Sequence, residues 1–381
     1  MLQKLRMVRN QQTLWRLVLV VFAVALLGAY IYSRKSGFEH SGLSEVESKR
    51  SSLKNVEADS ASSAFQSKFN TGEAKANAES EKKKCFRVTF TQEMLGKICA
   101  PNPNPAICRI ATIAHLDRSE FKTARLRHPT GYITMMVHPS WDLISQAIIS
   151  NNVWESEQTN FIRSALELLP GAGLLDVGSQ LGAYSLHAAQ MGRQVVAIDA
   201  FYQNSIRLFA SATANGFQDR VRVYWNALAL KSNGTMNMFL PSTCNVGGGA
   251  PQIKGSTTIS DSIDVRTTLL DDIVIGDGCF SGVKDLVMKV DIEGSEWLIK
   301  EIGAGIFKRF KVSVVMMEWI VLSTSPKAPE IVQFFSSHSL FPYGLDGSRL
   351  RQLNSKESSK WPYDVFWATN EFVAEKLRHK V

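Results

Sequence analysis

Cysteine is scarce in this sequence, five in 381 residues, and none of the five has the Cys-x-x-Cys spacing of a structural zinc site. Gly-x-Gly-x-x-Gly is absent, which removes the turn that brings backbone N–H groups against a pyrophosphate. No tyrosine is followed four positions later by lysine, so the usual companion of a nicotinamide-dependent oxidoreductase is missing as well. A concentrated basic surface is also absent. The net charge is +8, but residues 1–16 carry +4 of it and residues 33–84 carry +2, leaving +2 for residues 85–381. Nothing there is built to grip a phosphate backbone, and nucleic acid is excluded as a partner.

The chain does contain one long uncharged run, LVLVVFAVALLGAYIY over 17–32. With Leu14 and Trp15 extending it, the run suits a thin early-secretory bilayer. The basic flank 1–16 predicts a cytoplasmic amino terminus. A cleaved signal is the rival reading, but Ala23-Val24-Ala25 lies inside the run, not after it. Residues 33–84 are Ser-, Lys-, Glu- and Ala-rich and cannot bury enough apolar surface to offset chain entropy. The expected organisation is a tail (1–16), a transmembrane signal anchor (17–32), a disordered stem (33–84), an extension (85–150) and a globular head (151–375). That is the layout of a single-pass type II protein of the Golgi with a lumenal head. Cys99 and Cys108 flank a Pro/Asn-rich loop that a disulfide would close, and Asn233-Gly234-Thr235 is the single glycosylation sequon.

The head is organised around Leu174-Leu175-Asp176-Val177-Gly178-Ser179-Gln180-Leu181-Gly182-Ala183-Tyr184-Ser185-Leu186. An apolar strand ends in an acid, a glycine-bracketed turn follows and a helix begins, which is the opening unit of an α/β sheet with its ligand at the strand ends. The Gly-x-x-x-Gly spacing predicts a nucleoside without phosphates, and S-adenosylmethionine fits. Gln194–Asp199 reads as the second strand, and Asp199 at its end is placed to accept from ribose hydroxyls; capping the next helix is the alternative. Val221–Asn226 reads as the third strand, with Asn226 or Ala227 at its end beside the adenine, and 231–266 as an inserted hairpin region. Leu286–Asp291 reads as a buried strand ending in its acid, followed by Glu293 and Glu296, and Val312–Trp319 is a fifth strand bearing Glu318 near its end. Leu340–Gly344 and Tyr363–Trp367 read as a closing antiparallel pair. His138, after a strand over 132–137, is expected to be structural.

Asp176–Leu186, Leu269-Leu270-Asp271-Asp272 and Lys289-Val290-Asp291-Ile292-Glu293-Gly294-Ser295-Glu296 together resemble the FkbM family of S-adenosylmethionine-dependent methyltransferases. The resemblance spans about 150–320 and, loosely, 320–370. It implies a Rossmann-like class I methyltransferase, with a seven-stranded, mostly parallel sheet flanked by helices and its last strand antiparallel. It implies methyl transfer to oxygen, with Asp176, Gly178 and Gly182 lining the methionine end of the cofactor and Asp199 on its ribose; Gln180, Tyr184 and Ser185 are further cofactor-binding candidates. Ser179-Gln180 and Asp199-Ala200 depart from the family's Ala-Asn and Glu-Pro. Asp291 or Glu293 would be the base, with Lys289 and Glu318 orienting the acceptor. No metal is expected, although the rim carboxylates offer either a cation site or a proton-accepting network. The acceptor is expected to be a glycan hydroxyl. A lipid head group or small molecule, or a membrane-tethered module without activity, are the alternatives.

Overall fold

The computed structural model describes residues 97–379, apart from 117, 120, 140–141, 240–249, 252–261 and 348. The tail, anchor and stem expected over 1–84 lie outside these residues, as do Cys85 and Cys244. Among the described residues no helix is long and apolar enough to cross a membrane.

Eight strands form the main sheet, in the order β13-β12-β14-β11-β10-β3-β4-β5. Its centre is β3 (Gly173–Val177), β4 (Val195–Asp199), β5 (Val221–Trp225), β10 (Asp285–Val290) and β11 (Lys311–Glu318), all mutually parallel. β14 (Asp364–Ala368) runs antiparallel between β11 and β12 (Phe341–Asp346). Seven strands are as expected from the sequence. The eighth, β13 (Arg349–Gln352), is a correction: it pairs with β12 at the edge. Its residues are mostly exposed and charged, so no apolar alternation marks it.

Helices cover both faces. α1 (Leu143–Asn151), α2 (Ser156–Leu168), α3 (Ala183–Gln190) and α4 (Tyr202–Ala214) precede β5, while α5 (Ile299–Ile302), α6 (Ala304–Arg309), α7 (Ala328–Ser337) and α8 (Asn370–His379) follow β10. Every residue of β3 and β4 is buried, which is why these strands read as continuous apolar runs instead of alternating ones. Alternation still decides which face each side chain takes. Leu174, Val195, Ala197, Val287, Val314, Met316 and Phe366 join the core that holds α2, α3 and α4. Leu175, Val196, Met288, Val315 and Val365 join the opposite core with α5, α6 and α7. Counting by twos from the first set reaches Asp176, Asp199, Lys289, Asp291, Glu318 and Asp364, so the polar strand-end residues share the α2/α3 face.

Two additions surround this sheet. β1 (Lys122–His128) and β2 (Gly131–Val137) form a hairpin, of which the sequence reading found only β2. Side chains of α4 cover its backbone: Thr134 N donates to Asn215 Oδ1 just past the helix and Met136 N to Ser211 Oγ. His138 is buried, its Nε2 within 2.9 Å of Asn204 Oδ1. The expected insertion is a four-stranded sheet of β6 (Ala227–Leu228), β7 (Gly234–Phe239), β8 (Ala250–Pro251) and β9 (Ser262–Thr268).

Candidate active site

The turn after β3 places the site. Gly178 N and Ser179 N both donate to Ile198 O, and Asp291 N donates to Val177 O, so the ends of β3, β4 and β10 are locked together. Gly178 (φ 77°) and Gly182 (φ 81°) adopt the left-handed region, and each has a packing reason to lack a side chain. A Cβ on Gly178 would stand 1.7 Å from Asp291 O, and one on Gly182 would stand 2.2 Å from Leu208 Cδ1. Their glycine identity therefore comes from strand and helix contacts, not from an open cradle for a ligand.

Asp176 is fully buried; its Oδ2 accepts from Ser185 Oγ at 2.6 Å. Its Oδ1 has no hydrogen-bond partner among the described residues, and neither do Ser179 Oγ and Gln180 Nε2. Gln180 (φ 51°) folds its Oε1 back onto Leu181 N at 3.1 Å. Three buried polar atoms, one in β3 and two on the turn after it, thus lack partners among the described residues, in an interior where such atoms are normally paired.

Asp199 meets the capping alternative first. Its Oδ1 accepts from Phe201 N at 2.7 Å, at the start of α4, and its Oδ2 accepts from Gln180 N at 2.7 Å. Burial pushes its carboxyl up to about 6, against these backbone bonds. A carboxylate offers about four acceptor positions, so this one retains room for a hydroxyl. Asn226 differs from expectation. It is buried with its amide turned away from the turn: Oδ1 accepts from Cys108 N and Nδ2 donates to Ala106 O. The reason is the Cys99–Cys108 disulfide, whose loop packs on the end of β5 and needs a side chain to satisfy its backbone. Cys279 is a buried free thiol.

At the acceptor side, Lys289 is 4% exposed and donates to Gly178 O, with its Nζ 3.4 Å from Asp291 Oδ2. Burial alone would lower its pKa, but Asp291, Asp176 and Glu155 raise it above the ordinary lysine value. Glu318 accepts from Tyr363 OH. Glu293 sits at φ 57° beside Gly294 in the turn, half-buried. Glu296 is fully buried and accepts from Ile292 N and Gly294 N, so it braces the turn. Asp271, from the second quoted motif, accepts from Gly305 N and Ile306 N and so anchors α6. Asp291, Glu296 and Glu318 each bring an oxygen within 4.8 Å of the others, an arrangement able to hold a divalent cation.

The sequence reading missed Glu155, Gln158 and Asp364. Glu155, just before α2, accepts from Tyr184 OH at 2.5 Å. Burial raises its pKa, and Asp291 and Glu318 push the same way. Asp364 pairs in register with Glu318 and accepts from Gln158 Nε2 at 2.8 Å. Burial first, then Glu155, Glu318 and Asp291, push its carboxyl up to about 7. A raised folded pKa in an acid means that stability is lost as pH rises from the unfolded value towards 7. Asp364→Asn, which keeps the acceptor for Gln158, is expected to stabilise the protein at pH 8 by up to about 4 kcal/mol and to change nothing at pH 3. Urea unfolding at the two pH values checks this; an equal effect at both would mean Asp364 carries no such cost.

No protein-family profile matches this chain. No curated protein matches it either. Solved structures do. An S-adenosylmethionine-dependent O-methyltransferase from Thermotoga maritima is 14% identical over 64% of this chain and 77% of its own, with a TM-score of 0.31. An O-methyltransferase from Bacillus cereus in complex with SAH is 12% identical, covering 56% and 80% with a TM-score of 0.31. Human methyltransferase 10 domain containing protein is 12% identical, covering 56% of this chain and 83% of its own, with a TM-score of 0.32. The strand order carries the fold class: five parallel strands closed by an antiparallel β14 between β11 and β12 make this a Rossmann-like sheet.

Proposed function

We propose that this chain is an S-adenosylmethionine-dependent methyltransferase acting on a hydroxyl. The observation that carries the reading is the set of polar atoms without partners among the described residues, Asp176 Oδ1, Ser179 Oγ and Gln180 Nε2, in β3 and the glycine turn after it, at the switch of an open parallel sheet. They suit the charged amino-acid end of such a cofactor once Gln180 swings off Leu181. Asp199 would hold the ribose. Bound there, the cofactor supplies an electrophilic methyl group on a sulfonium centre. The chain's own residues then orient the acceptor and receive its proton. Lys289 fixes Asp291 and the Gly178 carbonyl, and Asp364, poised near neutrality, joins Asp291 and Glu293 as a base candidate.

The compartment and acceptor belong to the same reading. The Cys99–Cys108 disulfide suits an oxidising lumen, and Asn233 is exposed, as a glycosylated residue must be. These features support a Golgi-lumenal head held by a signal anchor at 17–32, with a glycan hydroxyl as acceptor. The binding-module reading draws on one observation of its own: Asp199 is already engaged by Gln180 N and Phe201 N.

Calorimetric titration of the purified chain with S-adenosylmethionine and with S-adenosylhomocysteine, using NAD as control, separates the two. Micromolar binding of the first pair, weakened at least about a hundredfold in Asp199→Ala, is the expected result. Absence of binding by folded protein would leave only the module.

A further inference from the structure

Among the described residues, the strand ends on the α2/α3 face gather more carboxylates than cations. Glu155, Asp176, Asp291, Glu318 and Asp364 act on one another across the ends of β3, β10, β11 and β14, around the buried ammonium of Lys289. That ammonium already serves Asp291, Asp176 and Glu155. Asp176 is fully buried with Oδ1 unpartnered, a side chain that points to a missing donor or cation in its own right. Glu155 lies at the centre of the arrangement. Its φ of 43° is an unusual conformation for a residue that is not glycine, and it holds the carboxylate against Tyr184, whose ring has Lys289 Nζ at 5.9 Å.

We propose that this rim is charge-matched to the sulfonium group, with Glu155 as its specificity-determining residue, so that the chain holds the cationic cofactor more tightly than the neutral thioether left after transfer. The inference rests on the methyltransferase reading and adds a direction to it. In transfer, the methyl–sulfur bond breaks as the methyl–oxygen bond forms, and the hydroxyl proton passes to a rim carboxylate. One positive charge therefore leaves the sulfur while one negative charge is neutralised nearby. The attraction that held the cofactor is gone, and the thioether leaves more readily than a second cofactor would.

The test uses three ligands of nearly one shape on the full chain, in buffer with EDTA so that no divalent cation neutralises the rim. They are S-adenosylmethionine, sinefungin (an ammonium in place of the sulfonium) and S-adenosylhomocysteine. Wild type is expected to bind the two cationic ligands at least about tenfold more tightly than the thioether. In Glu155→Gln, which keeps an acceptor for Tyr184, the ratio should fall to within about threefold with thioether affinity retained. Glu371→Gln, which removes an exposed carboxylate ion-paired with Lys311 at the far end of β11, should leave the ratio unchanged. Equal affinity of all three ligands for wild type overturns the inference and leaves the methyltransferase reading standing; that result needs no variant to fold. A ratio that falls equally in Glu371→Gln also overturns it, because net charge alone would then explain the preference. Failure of all three ligands to bind removes the methyltransferase reading and the inference together.

Discussion

Lys289→Met is expected to destabilise the protein by about 3–5 kcal/mol, the usual result of removing one partner from a buried charged group. The side chain is 4% exposed, and its ammonium holds Gly178 O and lies 3.4 Å from Asp291 Oδ2. Methionine keeps most of the volume, so lost packing is a minor part of the change. What remains behind decides the outcome. Asp176 is fully buried and its carboxyl is already pushed up by burial, with Lys289 pulling it back. Glu155 stands in the same position. Without the ammonium both carboxyls rise further, and their ionised forms become the costly ones. The sign with pH follows. At pH 8 the unfolded chain ionises these acids freely and the folded variant resists, so the deficit is full. Towards pH 4 the unfolded chain begins to protonate these acids as well, and the deficit shrinks. For a domain of this size, roughly 6–15 °C in Tm separates variant from wild type at pH 8. Thermal melts at pH 8 and pH 4.5 check this. An equal loss at both would show that Lys289 acts by packing alone.

Much of this rim was legible because parallel strands announce themselves. β3, β4 and β10 are buried along nearly their whole length, so each is an apolar run ending where an acid begins. Asp176, Asp199, Asp291 and Glu318 could be placed at strand ends on that signal. Glu155 and Asp364 could not be placed in the same way. Glu155 precedes a helix, and only the fold lays it against Tyr184, 29 positions later. Asp364 begins an antiparallel strand, and inversion of direction carries the first residue of β14 to the rim that the last residue of β11 occupies. A closing antiparallel strand was expected, so the inference was open: its first residues, not its last, belong to the site. Asn226 shows the opposite failure. Its position at the end of β5 was right, but a disulfide loop more than a hundred residues earlier takes both of its amide atoms. Strand-end position is local information, and competition for a side chain's hydrogen bonds is not.

Three glycines with the same backbone sign should respond to alanine in a steep order. Gly216 (φ 70°) has nothing within 4 Å of a built Cβ, so Gly216→Ala meets only the left-handed penalty of about 1–2 kcal/mol. Gly182 (φ 81°) adds a 2.2 Å contact, but the atom it meets is Leu208 Cδ1, the far end of a side chain that can rotate aside. Gly182→Ala is therefore expected to cost about 2–3 kcal/mol. Gly178 (φ 77°) meets Asp291 O at 1.7 Å and Asp291 C at 2.8 Å, and neither can rotate away. Relief requires the chain after β10 to withdraw from β3, which breaks Asp291 N to Val177 O and pulls Lys289 from Gly178 O. Gly178→Ala is expected to lose at least about 4 kcal/mol and all measurable cofactor binding, even in whatever fraction folds. Urea midpoints at constant m-value give the order, and calorimetry on the folded variants gives the binding. If Gly178→Ala matched Gly216→Ala in both, the close approach of β10 to the glycine turn would not exist in solution. The shared geometry of turn, lysine and rim carboxylates would go with it, since Lys289 and Asp291 are held in register by that same contact.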